Sequence, residues 1–170
     1  MRKRVSGWMR QGDISAFFLV NHGCKSSWAD RLMPWVTHLG GAVWCVILSL
    51  ACLLQRDLRD VGIDLALSLI CSTLIVTLCK KLLPRRRPYL KLLKVRTVGA
   101  LWKDASFPSG HSAAAFAKAT VLAAFLPGWG TLLYLLATVV ALSRVYLGQH
   151  YPSDIVAGAG LGITTASLLI

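Results

Sequence analysis

Twelve residues near the C-terminal end, SRVYLGQHYPSD (143–154), hold an arginine, a histidine and an aspartate between two apolar stretches. Asp154 follows His150 by four positions. A carboxylate there can accept the second ring N–H of the imidazole, fixing its tautomer and leaving the other nitrogen as nucleophile or base. The same pair could instead be structural, capping a helix. A second cluster, FPSGHSAAAF (107–116), opens an apolar helix at Pro108 and Ser109. Gly110 lets backbone approach a ligand, and the free N–H groups of a helix start attract anions. His111 then lies in the first turn beside any bound anion, or is incidental to an N-cap. In the third cluster, KKLLPRRRPYLK (80–91), Lys80 stands two helical turns before Arg87, and Pro88 fixes the chain after it. Arginine's planar fork suits phosphate oxygens and lysine adds a compact charge. A juxtamembrane basic patch touching acidic lipids is the plainer reading of this run.

The elements that must position these groups are apolar. Of 170 residues, 55% are hydrophobic, and the mean hydropathy is +0.59, above the usual composition of a soluble domain. Nineteen Lys and Arg oppose seven acids, all aspartate, for a net charge of +12. The bases gather at the ends of apolar runs, which suits lipid head groups and phosphate and excludes nucleic acid as a partner. Five cysteines form no CxxC pair and read as small packed thiols. The seven scattered aspartates offer no carboxylate cluster for a metal, so no metal or cofactor is expected.

A membrane core of ~30 Å needs about 20 helical residues. Five segments approach that length: Pro34–Leu54, Val61–Leu83, Ser109–Leu126, Thr131–Gly148 and Asp154–Ile170. The last two are short and imply tilt or bilayer thinning. Lipid leaves no partner for unpaired backbone, so each must be helical. The expected fold is an all-α, multi-pass transmembrane bundle of five to six helices in one domain, 1–170. Residues 1–33 form an interfacial arm, in which MRKR, Trp8 and the apolar cluster Ile14–Val20 suggest an amphipathic helix on the membrane surface. Gly158 and Gly162 form a GxxxG pair suited to close helix packing. With five alternating spans, the turns at Leu83–Pro108 and Gly148–Ser153 emerge on one face, so all three clusters converge there.

The pattern Lys80-x6-Arg87-Pro88, Pro108-Ser109-Gly110-His111, Ser143-Arg144-x5-His150-x3-Asp154 resembles the three-part signature of the type 2 phosphatidic acid phosphatase family. That superfamily includes bacterial phosphatidylglycerophosphate and undecaprenyl pyrophosphate phosphatases, glucose-6-phosphatase and soluble vanadium haloperoxidases. The match spans roughly residues 80 to 154. The resemblance implies a metal-independent lipid phosphatase of the cell membrane with its site on the extracytoplasmic face. By it, His150 is the nucleophile that becomes a phosphohistidine, Asp154 orients it, and His111 protonates the leaving group and later activates water. Lys80, Arg87, Ser109, Gly110 and Arg144 hold the phosphate oxygens. The partners so implied are a lipid phosphate or diphosphate substrate and the surrounding membrane lipids. Family members commonly have six spans, one more than counted here.

Other features bear on this expectation. Most Lys and Arg fall on the catalytic face, which opposes an extracytoplasmic site by the positive-inside rule. One histidine neutral and one protonated imply a bell-shaped rate profile at mildly acidic to neutral pH. Lys118, seven residues after His111, should lie deeper on the same helix face, paired with Asp64 or lining a lipid tunnel. Arg85 and Arg86 read as contacts to neighbouring lipid phosphates, and His22 and His38 as surface or structural residues. A small transporter or a noncatalytic anionic-lipid-binding protein could share the charges and spans, but the latter would not need His111 and His150.

Overall fold

The computed structural model describes residues 11–170. The basic MRKR and Trp8 of the expected surface helix lie outside them. Helix is the only regular secondary structure among the described residues, which contain no strand. Helix α1 covers residues 11–18 and passes into a π-helical turn, Leu19–Gly23. There follow α2 (Ser27–His38), α3 (Ala42–Leu54), α4 (Arg59–Leu82), the short α5 (Pro88–Lys91), α6 (Gly110–Phe125), α7 (Gly130–Tyr146) and α8 (Pro152–Ser167).

Helix α6 is the axis of the bundle, packed against α4, α7 and α8. Its sequence explains why: Ser112, Ala113, Ala114, Ala115, Ala117 and Ala119 are all buried. Small side chains let neighbouring backbones come close, which is how helices associate where lipid supplies no hydrophobic drive. The glycines of α8 complete the contact. A Cβ on Gly158 would lie 2.4 Å from the Ser109 carbonyl oxygen, and one on Gly162 2.2 Å from that of Ala113. The large apolar side chains point outward instead. Ile70, Leu74 and Leu78 on α4 and Leu135 and Leu136 on α7 are exposed, as expected of helices solvated by lipid tails.

Among the described residues, two stretches are long and apolar enough to cross a membrane alone: Arg56–Leu82, containing α4, and Pro127–Tyr146, containing α7. A third exists if α2 and α3 count as one broken span, since they meet at a 50° bend. The single expected helix Pro34–Leu54 is therefore two, and the break falls at Leu39–Gly41. Helices α6 and α8 have 16 residues each, about 24 Å at 1.5 Å per residue, short of the ~30 Å core. The arm expected over 1–33 does not end at 33 either, because α2 runs through that position. Nor does α1 only float on a surface. Phe17 is fully buried against Val145, Tyr151 and Ile155, and Asn21 bonds the backbone carbonyls of Arg96 and Tyr146.

Candidate active site

The C-terminal ends of α4 and α7 and the N-terminal ends of α6 and α8 lie at one end of the bundle and carry the three clusters. Gly148, at φ +77°, turns the chain back after α7. The Arg144 carbonyl then accepts from the N–H groups of Gln149 and His150, which seats His150 directly over the helix end.

His150 is 1% exposed. Its Nδ1 lies 3.6 Å from Asp154 Oδ2, an ion-pair separation longer than a hydrogen bond, and 3.5 Å from the Ser106 hydroxyl. Its Nε2 lies 3.2 Å from Arg87 Nη1. Arginine can only donate, so this contact assigns the Nε2 lone pair as acceptor and the proton to Nδ1, on the Asp154 side. Burial, then the Arg144 and Arg87 charges, push His150 down to about 4 against the opposing pull of Asp154. The ring is therefore neutral at neutral pH, its Nε2 lone pair facing Arg87 Nη1.

Asp154 is fully buried and well held. Its carboxylate accepts from the Tyr151 N–H at 2.9 Å, from the Ser106 hydroxyl and from Arg85 Nη1 at 2.7 Å. Its own carbonyl accepts from the Ser109 N–H, tying the start of α8 to the start of α6.

At the α6 start, Ser109 caps the helix by accepting from the Ser112 N–H. Gly110 and His111 follow in the first turn. His111 packs edge-on to Trp102, with ring centroids 6.1 Å apart. It is close enough to His150, Arg144, Lys80 and Arg87 to interact with all four electrostatically. Gly40, at the α2–α3 break, seats against it: a Cβ there would fall 2.7 Å from the His111 carbonyl oxygen and 2.8 Å from Val140.

Three cations complete the site. Arg87, 2% exposed, donates from Nε to the Asp104 carbonyl, from Nη1 to the Gln149 carbonyl, and from Nη2 to Asp104 Oδ1 at 2.6 Å. Lys80 pairs with the other Asp104 oxygen. Partial burial raises the Asp104 carboxyl, but Lys80 and Arg87 outweigh it and hold it at about 2. Arg144, also buried, donates from Nη1 to Thr37 Oγ1 at 2.8 Å, while its buried Nε has no partner among the described residues. A guanidinium with an unused buried donor is costly unless an anion completes it.

All eight signature residues named from the sequence are thus brought to one end of the bundle. Sequence reasoning missed Asp104, Ser106, Gln149 and Thr37. Asp104 and Ser106 sit just upstream of Phe107, but nothing in residue spacing marks a loop aspartate as the partner of two cations. Of the two readings of Lys118, pairing with Asp64 is not found: it donates to the Leu39 carbonyl at the α2–α3 break. Arg85, read as a lipid contact, is engaged by Asp13, Ser153 and Asp154.

Beside the polar cluster, a groove of about 620 Å³ opens between α3, α4 and α6. It begins at Trp102, Gly110 and His111 and runs past Cys45, Leu69 and Ile70. Its lining is almost wholly apolar.

The model of the PAP2 superfamily matches residues 61–170. The chain belongs to the PAP2 superfamily. Similarity extends beyond the matched part: an undecaprenyl-diphosphatase of Sulfolobus acidocaldarius is 28% identical over 94% of this chain and 78% of its own length. The crystal structure of Aquifex aeolicus LpxE covers 91% of this chain and 92% of its own at TM-score 0.83 and 28% identity. That of a transmembrane PAP2-type phosphatidylglycerolphosphate phosphatase from Bacillus subtilis covers 95% and 84%, at TM-score 0.76 and 26% identity. PAP2 relatives of this chain are thus lipid phosphatases of membranes, and its outward apolar helices fit that setting.

Proposed function

We propose that this PAP2 chain hydrolyses a lipid phosphate monoester or diphosphate through a phosphohistidine on His150. Phosphatidic acid, phosphatidylglycerophosphate and undecaprenyl pyrophosphate are the candidate substrates. The observation that carries the reading is the disposition of His150: Nδ1 faces Asp154, and Nε2 faces Arg87, one of the cations suited to phosphate. A phosphoryl group drawn in by Arg87, Arg144, Lys80 and the α6 N–H groups arrives at the nitrogen that bears the lone pair.

In the first step Nε2 attacks phosphorus, a P–N bond forms and the P–O bond to the lipid breaks. His111 donates a proton to the leaving oxygen. The ring of His150 becomes positively charged, and Asp154 offsets that charge across Nδ1. In the second step His111 takes a proton from water, the resulting oxygen attacks phosphorus, and the P–N bond breaks to release phosphate and neutral His150. Phosphoryl transfer depends on positioning and charge stabilisation more than on further covalent chemistry, which fits three cations and a helix start around one nitrogen. The apolar groove beginning at His111 is suited to the lipid chain next to the scissile bond. The reading includes an extracytoplasmic site, for which the support is the family resemblance; protease access to tagged termini in intact cells checks it.

The test is phosphate release by purified protein in detergent with chelator present, offered each candidate lipid, comparing wild type with His150→Ala. Wild type should release phosphate and form an acid-labile, base-stable phosphoenzyme, and the variant should do neither. Phosphate release by a folded His150→Ala protein at the wild-type rate refutes the assignment.

A further inference from the structure

Asp13 lies on α1, far in sequence from every signature residue, yet it is three contacts from the proposed nucleophile, through Arg85 and Asp154. Its Oδ2 accepts from Arg85 Nη2 at 2.6 Å and from the Ser153 hydroxyl at 2.7 Å; its Oδ1 accepts from the Ser153 N–H at 2.9 Å. The other arm of Arg85 reaches Asp154 Oδ1 at 2.7 Å. Its guanidinium also stacks 3.8 Å from the Tyr151 ring centre, and Phe17, one turn along α1, packs on that same tyrosine. Asp13 is 9% exposed and Asp154 fully buried, so these charges are weakly screened by solvent.

The arithmetic of charge gives this arrangement a consequence. Asp154 with Arg85 alone sums to zero, so the guanidinium behind the carboxylate offsets part of its pull on His150. Asp13 adds a second anion on the far side of the guanidinium, so the trio carries one net negative charge where the imidazole becomes cationic. We infer that Asp13 and Arg85 are positioning residues of the reaction, which set the charge that Asp154 presents to His150 and make docking of α1 a condition of full activity. This rests on His150 being the nucleophile. The other charged groups around His150 are Arg87 from the loop before α5, Arg144 from α7, His111 from α6, Lys80 from α4 and Asp104 from the loop before α6. None touches Asp13, and all remain in the variants below.

Charge counting sets opposite signs for the two single substitutions. Asp13→Asn takes the trio to zero, which lowers the pH at which His150 loses its proton and slows its phosphorylation. Arg85→Gln takes the trio to two negative charges and raises that pH. The double variant returns to one negative charge and should titrate near wild type, as should the charge-preserving Arg85→Lys. The shifts should be roughly one pH unit at an effective dielectric of ~20, larger for Arg85, two links from His150, than for Asp13, three links away.

The experiment measures the acidic midpoint of kcat/KM for phosphate release in detergent, with ¹⁵N-histidine NMR reading His150 directly. Circular dichroism and thermal unfolding report the fold. Opposite shifts in the singles and cancellation in the double establish the inference. Shifts in one direction, or unmoved midpoints with only lowered thermal stability, overturn it and leave Asp13 as a cap on α8. Should Asp13→Asn not fold, Arg85→Gln against Arg85→Lys still decides the sign. His150→Ala runs alongside: if it stays active, the nucleophile assignment fails, whereas unmoved midpoints with inactive His150→Ala sink only the role of Asp13.

Discussion

Replacing Gly162 by alanine tests whether the backbone contact between α6 and α8 supports both the fold and the site. The added Cβ would sit 2.2 Å from the Ala113 carbonyl oxygen and 2.9 Å from the Ala117 nitrogen, where ordinary contact begins at 3.4 Å. Both obstacles are backbone, so no side chain can swing aside and the helices must part by about an ångström. Overpacking of this kind costs about 1–3 kcal/mol. Gly160, half a turn away, meets nothing within 4 Å, and there alanine should stabilise the helix by up to about 1 kcal/mol. The two variants therefore differ by roughly 1–4 kcal/mol in opposite directions from wild type. Tryptophan fluorescence during thermal unfolding in a single detergent reads this as a separation of several degrees. Activity should follow, because α6 carries His111 and α8 carries Asp154. A displacement near 1 Å can reduce turnover about 100-fold. Equal unfolding temperatures and equal turnover for the two variants would refute the reasoning.

Burial of neutral His150 puts the acidic midpoint of kcat/KM near 4, below the mildly acidic range expected from an unperturbed imidazole; a midpoint at 6 to 7 by ¹⁵N NMR contradicts the site geometry. The same group makes stability depend on pH. Between 6.5 and about 4 the unfolded chain takes a proton that folded His150 refuses, so stability falls as pH falls through that window. The loss is up to about 3 kcal/mol, and unfolding midpoints at pH 7 and pH 4.5 should fall further for wild type than for His150→Gln. Asp104→Asn should tighten inhibition by orthovanadate about tenfold, since the competing carboxylate is removed from Lys80 and Arg87; unchanged or weaker inhibition contradicts the competition. Lys118→Met should destabilise the protein by about 1 kcal/mol, leaving the Leu39 carbonyl without its donor, as measured by thermal unfolding.

How far the sequence could be read follows from what kind of partner each residue has. His150 and Asp154 are neighbours along one chain segment, and His111 is fixed by the helix start that Pro108 and Ser109 announce, so spacing located them. Lys80 and Arg87 were legible for the same reason. Arg85 was not, because Asp13, on which its role depends, is 72 positions away, and three adjacent arginines look alike in sequence. The pairing of Lys118 was misjudged because its acceptor is a backbone carbonyl, which every residue has and none advertises. The α2–α3 break had a visible cue in Gly40 and Gly41, but the apolar run reads through it. Helix α6, Gly110–Phe125, lies within one residue of the expected segment at each end, whereas α8 starts two residues earlier than expected, at Pro152, and ends three earlier, at Ser167.

The carboxylate of Asp104, lying across Lys80 and Arg87, gives the resting enzyme an internal counter-ion. If Lys80 and Arg87 receive the substrate phosphate as proposed, admission of a head group is an ion exchange rather than the filling of an empty cationic hole. Chloride or the carboxylate of an ordinary membrane lipid has no more charge to offer than the incumbent, and gains nothing by replacing it. A phosphate dianion does, and in the same act frees Asp104 to re-enter when the product departs.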